Sequence, residues 1–86
     1  MKDITSSGFE FEISEENIDD WDLIKVLREI DKGNAQYVVD ALPLLLGNKQ
    51  AKKLEDHVRD KNGKVKISSI MKEFEEIMSK SQEVKN

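Results

Sequence analysis

The stretch HVRDKNGKVKISSIMKEFEEI, from His57 to Ile77, crowds Asp60, Asn62 and Gly63 between two runs of helical character. Acidic and amide side chains around a glycine, with a β-branched residue just beyond, are the materials of a calcium-binding helix–loop–helix. Such a loop needs side-chain oxygens at positions 1, 3, 5 and 12, with glycine at 6 and an apolar residue at 8. With Gly63 at position 6, Asp60 falls at 3, Asn62 at 5 and Val65 at 8. Position 1 is then Val58 and position 12 is Ser69, neither of which brings a carboxylate. Starting the loop at Asp60 instead puts Met71 at position 12. Two side-chain ligands remain where tight binding needs about five oxygens. The expectation is therefore a turn, since Asn62-Gly63 readily takes positive φ.

The other reactive side chains are similarly unsupported. His57 is the single histidine and there are no cysteines. A zinc set would need three carboxylates to converge on it, and no nucleophile–base–orienter trio is evident. The default for His57 is a helix surface beside Asp56 and Asp60. The four glycines, at 8, 33, 47 and 63, are isolated and mark element boundaries, so no phosphate-cradling loop exists. Glu15-Glu16 and Asp19-Asp20 suit a helix N-terminus, where the dipole favours negative charge. No catalytic, cofactor-binding or metal-binding residue is assigned, no cofactor is expected, and the chain reads as a non-enzyme.

Bulk properties point the same way. With 86 residues the chain is one small domain. A domain of this size buries only about 60–65% of the surface its unfolded chain exposes. Charged residues make up 37% of the chain, and 18 acids against 14 bases give a formal net charge of −4. Nucleic-acid binders ordinarily show the opposite balance, because phosphate contacts need Lys and Arg. One basic region exists, from Lys49 to Lys66, interleaved with Glu55, Asp56 and Asp60 and lacking an aromatic for base stacking. The absence of cysteine fits a reducing compartment. The first residues lack an apolar core of signal-peptide length, and the longest apolar run, Ala41 to Leu46, is too short for a bilayer.

The elements that must position these residues follow from periodicity. Phe9, Phe11 and Ile13 alternate with acids and share one strand face. Ser6-Ser7-Gly8 is a turn signal that lets Lys2 to Thr5 pair back as a hairpin. Ser14 is the expected cap of a first helix, from Glu15 to Asp31, with Ile18, Trp21, Leu23, Ile24, Leu27 and Ile30 on a broad apolar face. Gly33 stops it and Asn34 is expected to cap a second helix, from Ala35 to Leu46, that Pro43 kinks or breaks. Gly47 ends that element, Asn48 caps a third helix to about Arg59, and Ala51, Leu54 and Val58 form its apolar side. Val65 and Ile67 are expected to be briefly extended. Ser68 or Ser69 caps a fourth helix buried through Ile70, Met71, Phe74, Ile77 and Met78. The predicted fold is mainly α (α+β): an N-terminal strand or hairpin followed by about four short helices in a small bundle. Residues 1–78 form the domain and 79–86 a frayed tail.

This pattern supplies more apolar side chains than so thin a core is expected to hold. Trp21, Tyr37, Leu44 and Leu46 are the expected contributors to a surface for a protein partner or for self-association. The alternative is that they fill the core of a helix apolar all round.

The segments GFEFEIS, DDWDLIKVLREID and LLLGNKQAKKLEDHVRDKNGKVKISSIMKEFEEI together resemble the small tail assembly chaperones of siphophages and Gram-positive prophages. Asp20, Trp21 and Leu23 match an acidic-aromatic helix. Leu45, Leu46, Gly47, Gln50, Leu54, His57, Arg59, Asp60, Gly63 and Val65 match the long run after it. The likeness covers roughly residues 8 to 78. It implies a non-enzymatic helper in the host bacterial cytoplasm that holds a tape-measure protein soluble while the tail is built. It assigns no catalytic residues. A small nucleic-acid-associated regulator using the Lys49 to Lys66 face is the alternative.

Overall fold

The computed structural model describes the backbone of residues 1–85 and the side chains of residues 1–81. The chain is mainly helical, with a two-stranded antiparallel sheet at its N-terminal end. Strand β1, Lys2–Ile4, pairs with β2, Glu10–Glu12, in the register Lys2↔Glu12, Asp3↔Phe11 and Ile4↔Glu10. The turn between them closes through Gly8 N–H donating to the Thr5 carbonyl at 2.9 Å. Gly8 sits at φ +93°, where any side chain would be strained. Alternation puts Phe9, Phe11 and Ile13 inward, each at most 5% exposed. Burying each of these side chains is worth about 1.5–3 kcal/mol, which is what an isolated hairpin lacks.

The expected first helix is two. Helix α1, Glu15–Ile18, begins at Ser14, whose hydroxyl accepts from Asn17 N–H at 3.2 Å. Helix α2, Trp21–Asp31, starts afresh because the Asp20 carboxylate accepts from Asp22 N–H at 2.9 Å. A capping Asp in extended conformation is a helix start, so the continuous periodicity from 15 to 31 conceals a bend. At the other end Gly33 N–H donates to the Ile30 carbonyl and Asn34 N–H to the Glu29 carbonyl. This paired closure needs positive φ at Gly33. Asn34 was expected to cap the next helix, but its side chain makes no capping bond. Its side chain turns back and donates to Glu29 at 3.1 Å. That bond, ahead of Lys32 nearby, holds the Glu29 carboxyl below its usual range.

A 3-10 turn, Ala35–Tyr37, leads into α3, Val38–Leu46. Pro43 lies inside α3, which continues through it without a break. The helix is already established there, and the bond that proline forgoes leaves free the carbonyl of Val39, an exposed residue. Helix α4, Asn48–Val58, is capped by Gly47 at φ +82° and not by Asn48, which is its first helical residue. Helix α5, Ile67–Lys85, begins before either serine, so Ile67 is helical and Val65 lies in an irregular connection. Through 79–81 α5 continues where fraying was expected. Ser81 is buried and donates to the Ile77 carbonyl at 2.9 Å, and Lys80 approaches Asp3 at 3.7 Å. The same expectation for Asn86 and for the side chains of 82–85 lies outside the described residues.

Helix α3 is the hub. It packs against α1, α2, α4 and α5. Val38, Ala41, Leu42, Leu45 and Leu46 are buried on it, and Leu54 and Ile77 close over them at 0% exposure. Its last carbonyls find side-chain donors, as a buried helix end requires. Asn17 donates to Leu45 at 3.1 Å and Gln50 to Leu46 at 2.8 Å. The same Gln50 amide also pairs with both backbone groups of Glu12, at 2.6 and 2.7 Å, and so ties α4 to the edge of β2.

The hairpin turn is fastened to α5 by a carboxylate that is itself 4% exposed, Glu73. Thr5 and Ser7 hydroxyls donate to its two oxygens at 2.8 and 2.9 Å. A buried polar group deprived of its partner costs about 1–3 kcal/mol, more if charged. Thr5→Val is expected to destabilise the domain by about that amount in urea denaturation. An unchanged midpoint would show that the hairpin is held by its phenylalanines alone.

Candidate functional site

Three groupings attract a functional reading. The first is the Asp60 turn. The Asp60 carboxylate accepts from the amides of Asn62 and Lys64, both at 2.9 Å, and Gly63 takes φ +84°. Arg59 spans the turn, donating to the Gly63 carbonyl at 2.9 Å and to Asp56 at 3.3 Å. Both amides go to Oδ1, so Asp60 shapes its own turn. Among the described residues no cluster of three or more candidate metal ligands occurs.

The second grouping joins Ser7, His57 and Glu73. Ser7 Oγ lies 3.0 Å from His57 Nε2 and 2.9 Å from Glu73. A hydrolytic serine must give its proton to histidine, with the acid on the far ring nitrogen. Here the carboxylate sits on the serine and the threonine, and no acid contacts the far ring nitrogen of His57 among the described residues. The imidazole also lies against the Phe9 ring, centroids 5.5 Å apart. Ser6 continues the pattern with N–H and hydroxyl contacts to Glu76 at 2.6 and 2.9 Å. This is a polar clasp between the turn, α4 and α5. The basic residues from Lys49 to Lys66 are exposed, but Lys52 and Arg59 both face Asp56, at 3.6 and 3.3 Å.

The third grouping is apolar and open. Among the described residues the large exposed apolar side chains are Trp21 at 74%, Ile24 at 49%, Val39 at 76%, Ile67 at 80% and Ile4 at 48%. All but Ile4 border troughs along α5. One of about 440 Å³ is walled by Val39, Leu42, Pro43, Ile67, Ile70 and Met71, between α3, α4 and α5. Met71 is shared with a second, of about 430 Å³, that α5 forms with Leu27 and Ile30 of α2. Met78 and Leu27 carry that one into a smaller hollow, and Ile18, Ile24 and Ser81 pass on to a last one, of about 650 Å³, beside Trp21. Ile67, Met71, Phe74, Met78 and Ser81 are spaced four, three, four and three residues apart. Phe74 and Ser81 are buried and Met71 and Met78 half-buried, so this stripe is the floor of a seam along which the hollows lie. Met71 and Met78 give it an adaptable lining.

The structure divides the four expected surface residues. Trp21 is exposed because it opens α2 just past the Asp20 cap, on the side of Ile24 and away from Leu23. Tyr37 and Leu44 are half-buried, Leu44 packing against the core. Leu46 is 3% exposed and belongs to the core, closed over where α3 meets α4, so it is not part of any surface. Val39, Ile67 and Ile24 were missed. Val39 sits behind the buried pair Val38 and Leu42, and Ile67 was hidden by its expected extended conformation.

Comparison with protein-family models, curated proteins and solved structures found no match to this chain. The geometry alone therefore ranks the groupings, and it favours the apolar seam over the two polar clusters. Calcium at millimolar concentration is expected to leave both the melting temperature and Trp21 emission unchanged. A saturable shift in either would reinstate Asp60 as a ligand.

Proposed function

We propose that this protein is a non-enzymatic assembly chaperone of phage tails, holding a helical segment of another tail protein, the tape-measure protein, in its apolar seam. One observation carries the reading. The core closes around α3, yet Val39 and Ile67 stay in water beside a trough lined mostly by apolar side chains, and Trp21 and Ile24 beside a hollow edged by Glu15, Asp19 and Asp20. Contiguous exposed apolar surface of this kind marks interaction sites, and an amphipathic helix laid in a groove is a common way to cover it. The sequence resemblance supplies the identity of the partner, and the bacterial cytoplasm is where the two would meet. No helix among the described residues is long and apolar enough to cross a membrane.

The residues that carry the resemblance also have local roles here. Gly47 turns the chain, Gln50 clamps Glu12 and Leu46, and His57, Arg59, Asp60 and Gly63 secure the hairpin and the α4–α5 turn. They maintain the scaffold that presents the seam, and the reading needs no catalytic group.

The test is a pair of surface substitutions, Trp21→Ser and Ile67→Ser, made together. Both side chains are mostly in water, and surface changes ordinarily shift stability by about 0.5 kcal/mol or less. The double variant is expected to keep its melting temperature within a few degrees and to lose co-purification with co-expressed tape-measure protein. Retained binding would remove the seam as the contact. Binding to duplex DNA at low salt, lost steeply as salt rises, would instead favour a nucleic-acid regulator working through Lys49 to Lys66.

A further inference from the structure

The carboxylates around the seam say which helix it takes. The residues lining the four hollows include Glu15, Asp19, Asp20, Asp31, Glu55 and Glu75, and no Lys, Arg or His. Asp20 is engaged as the cap of α2. The other five take part in no side-chain ion pair or hydrogen bond among the described residues. Elsewhere acids of this chain do find cations: Asp22 with Lys25, Glu29 with Lys32, and Asp56 with Lys52 and Arg59.

A partner that covers the apolar floor must pass close to these acids and strip water from them. Desolvating a carboxylate is unfavourable unless a cation replaces the water. An acidic or neutral helix would therefore leave unpaired charge at the edge of the contact. A helix with Lys or Arg beside its apolar stripe would pair with it, and opposite fields would speed its arrival. By helical spacing Arg28 lies one turn from Asp31, Lys52 and Arg59 one turn from Glu55, and Lys72 one turn from Glu75, but none of these cations lines the hollows.

Resting on the seam as the binding site, we infer that its occupant is a basic amphipathic helix of a partner protein. Its apolar stripe is flanked by Lys or Arg. The floor from Ile67 to Ser81 is about 21 Å long at 1.5 Å per residue, which accommodates about four turns. The distribution of acids places the cations near both ends, against Glu55 at one and Glu15 and Asp19 at the other, with Asp31 and Glu75 between.

The experiment uses three synthetic helical peptides of about four turns, with one leucine stripe and flanks of Lys/Arg, Gln or Glu. Binding to the full chain is followed by Trp21 emission and calorimetry, with sedimentation to report self-association. The expected result is that the Lys/Arg peptide binds at least tenfold tighter than the Gln peptide and loses that advantage at high salt, while the Glu peptide does not bind. The triple variant Asp31→Asn, Glu55→Gln, Glu75→Gln, its fold checked by circular dichroism, is expected to bring the first two peptides to similar affinity. Equal, salt-insensitive binding of the Lys/Arg and Gln peptides would overturn the charge inference and leave the apolar seam standing. Tighter binding of the Glu peptide would also overturn it. No binding by any peptide would remove the seam itself. A dimer that dissociates on Trp21→Ser and takes up no peptide would give the seam to a second copy of the chain.

Discussion

A helix that is apolar on nearly every side has to be surrounded, and in this protein that helix is α3. Val38, Ala41, Leu42, Leu45 and Leu46 fall at i, i+3, i+4, i+7 and i+8 and bury one broad face, and Val39, Pro43 and Leu44 leave Asp40 as its single polar side chain. In a chain of 86 residues only a few short elements can enclose it. Helices α1 and α2 cover one flank and α4 and α5 the other, while the hairpin adds Phe9, Phe11 and Ile13. The helices that enclose α3 turn their best faces to it. Their own edges then meet along α5 without a further layer to cover them. The exposed seam is thus a consequence of the same packing that makes the core. A domain this size has no second shell with which to hide it.

Polar chemistry in the molecule is directed at holding this arrangement. Glu73 is buried yet answered by Thr5 and Ser7, and Gln50 and Asn17 answer the carbonyls at the end of α3. No buried side-chain nitrogen or oxygen among the described residues lacks a partner. The Ser7, His57 and Glu73 grouping has the residue types of a hydrolase and the connectivity of a clasp. The place of the acid, on the serine and not on the far nitrogen of the imidazole, decides between the two. The Asp60 turn makes the same point, since a carboxylate that accepts from two amides of its own turn is a structural device.

Much of the fold was legible because its signals are local. Strand alternation placed Phe9, Phe11 and Ile13 correctly, Ser14 and Gly33 marked real boundaries, and the stripes of α4 and α5 came through at helical spacing. The errors share one cause. Several residues can cap or start a helix, and tertiary contacts choose among them. Asp20 capped α2 inside an unbroken apolar period, Asn34 bonded backward to Glu29, and Gly47 displaced Asn48. The apolar surface was legible in amount but less so in address. Trp21 was found in the sequence, whereas Leu46 was assigned outward and is core. Leu46 lies four residues after Leu42 and eight after Val38, so its inward face was readable from helical spacing, whereas how far Leu44 and Tyr37 are covered depends on where the neighbouring elements sit.

The proposal that another polypeptide completes this surface therefore rests on large apolar side chains staying in water while the domain is folded and alone. Trp21 is the sole tryptophan and lies at the wide end of the seam. The most direct measurement is acrylamide quenching of its fluorescence in the isolated chain, at concentrations low enough to keep it monomeric. A long-wavelength emission quenched nearly as efficiently as free indole is the expected result. A blue-shifted emission that resists the quencher would contradict the account, because the indole would then already be covered by the chain itself.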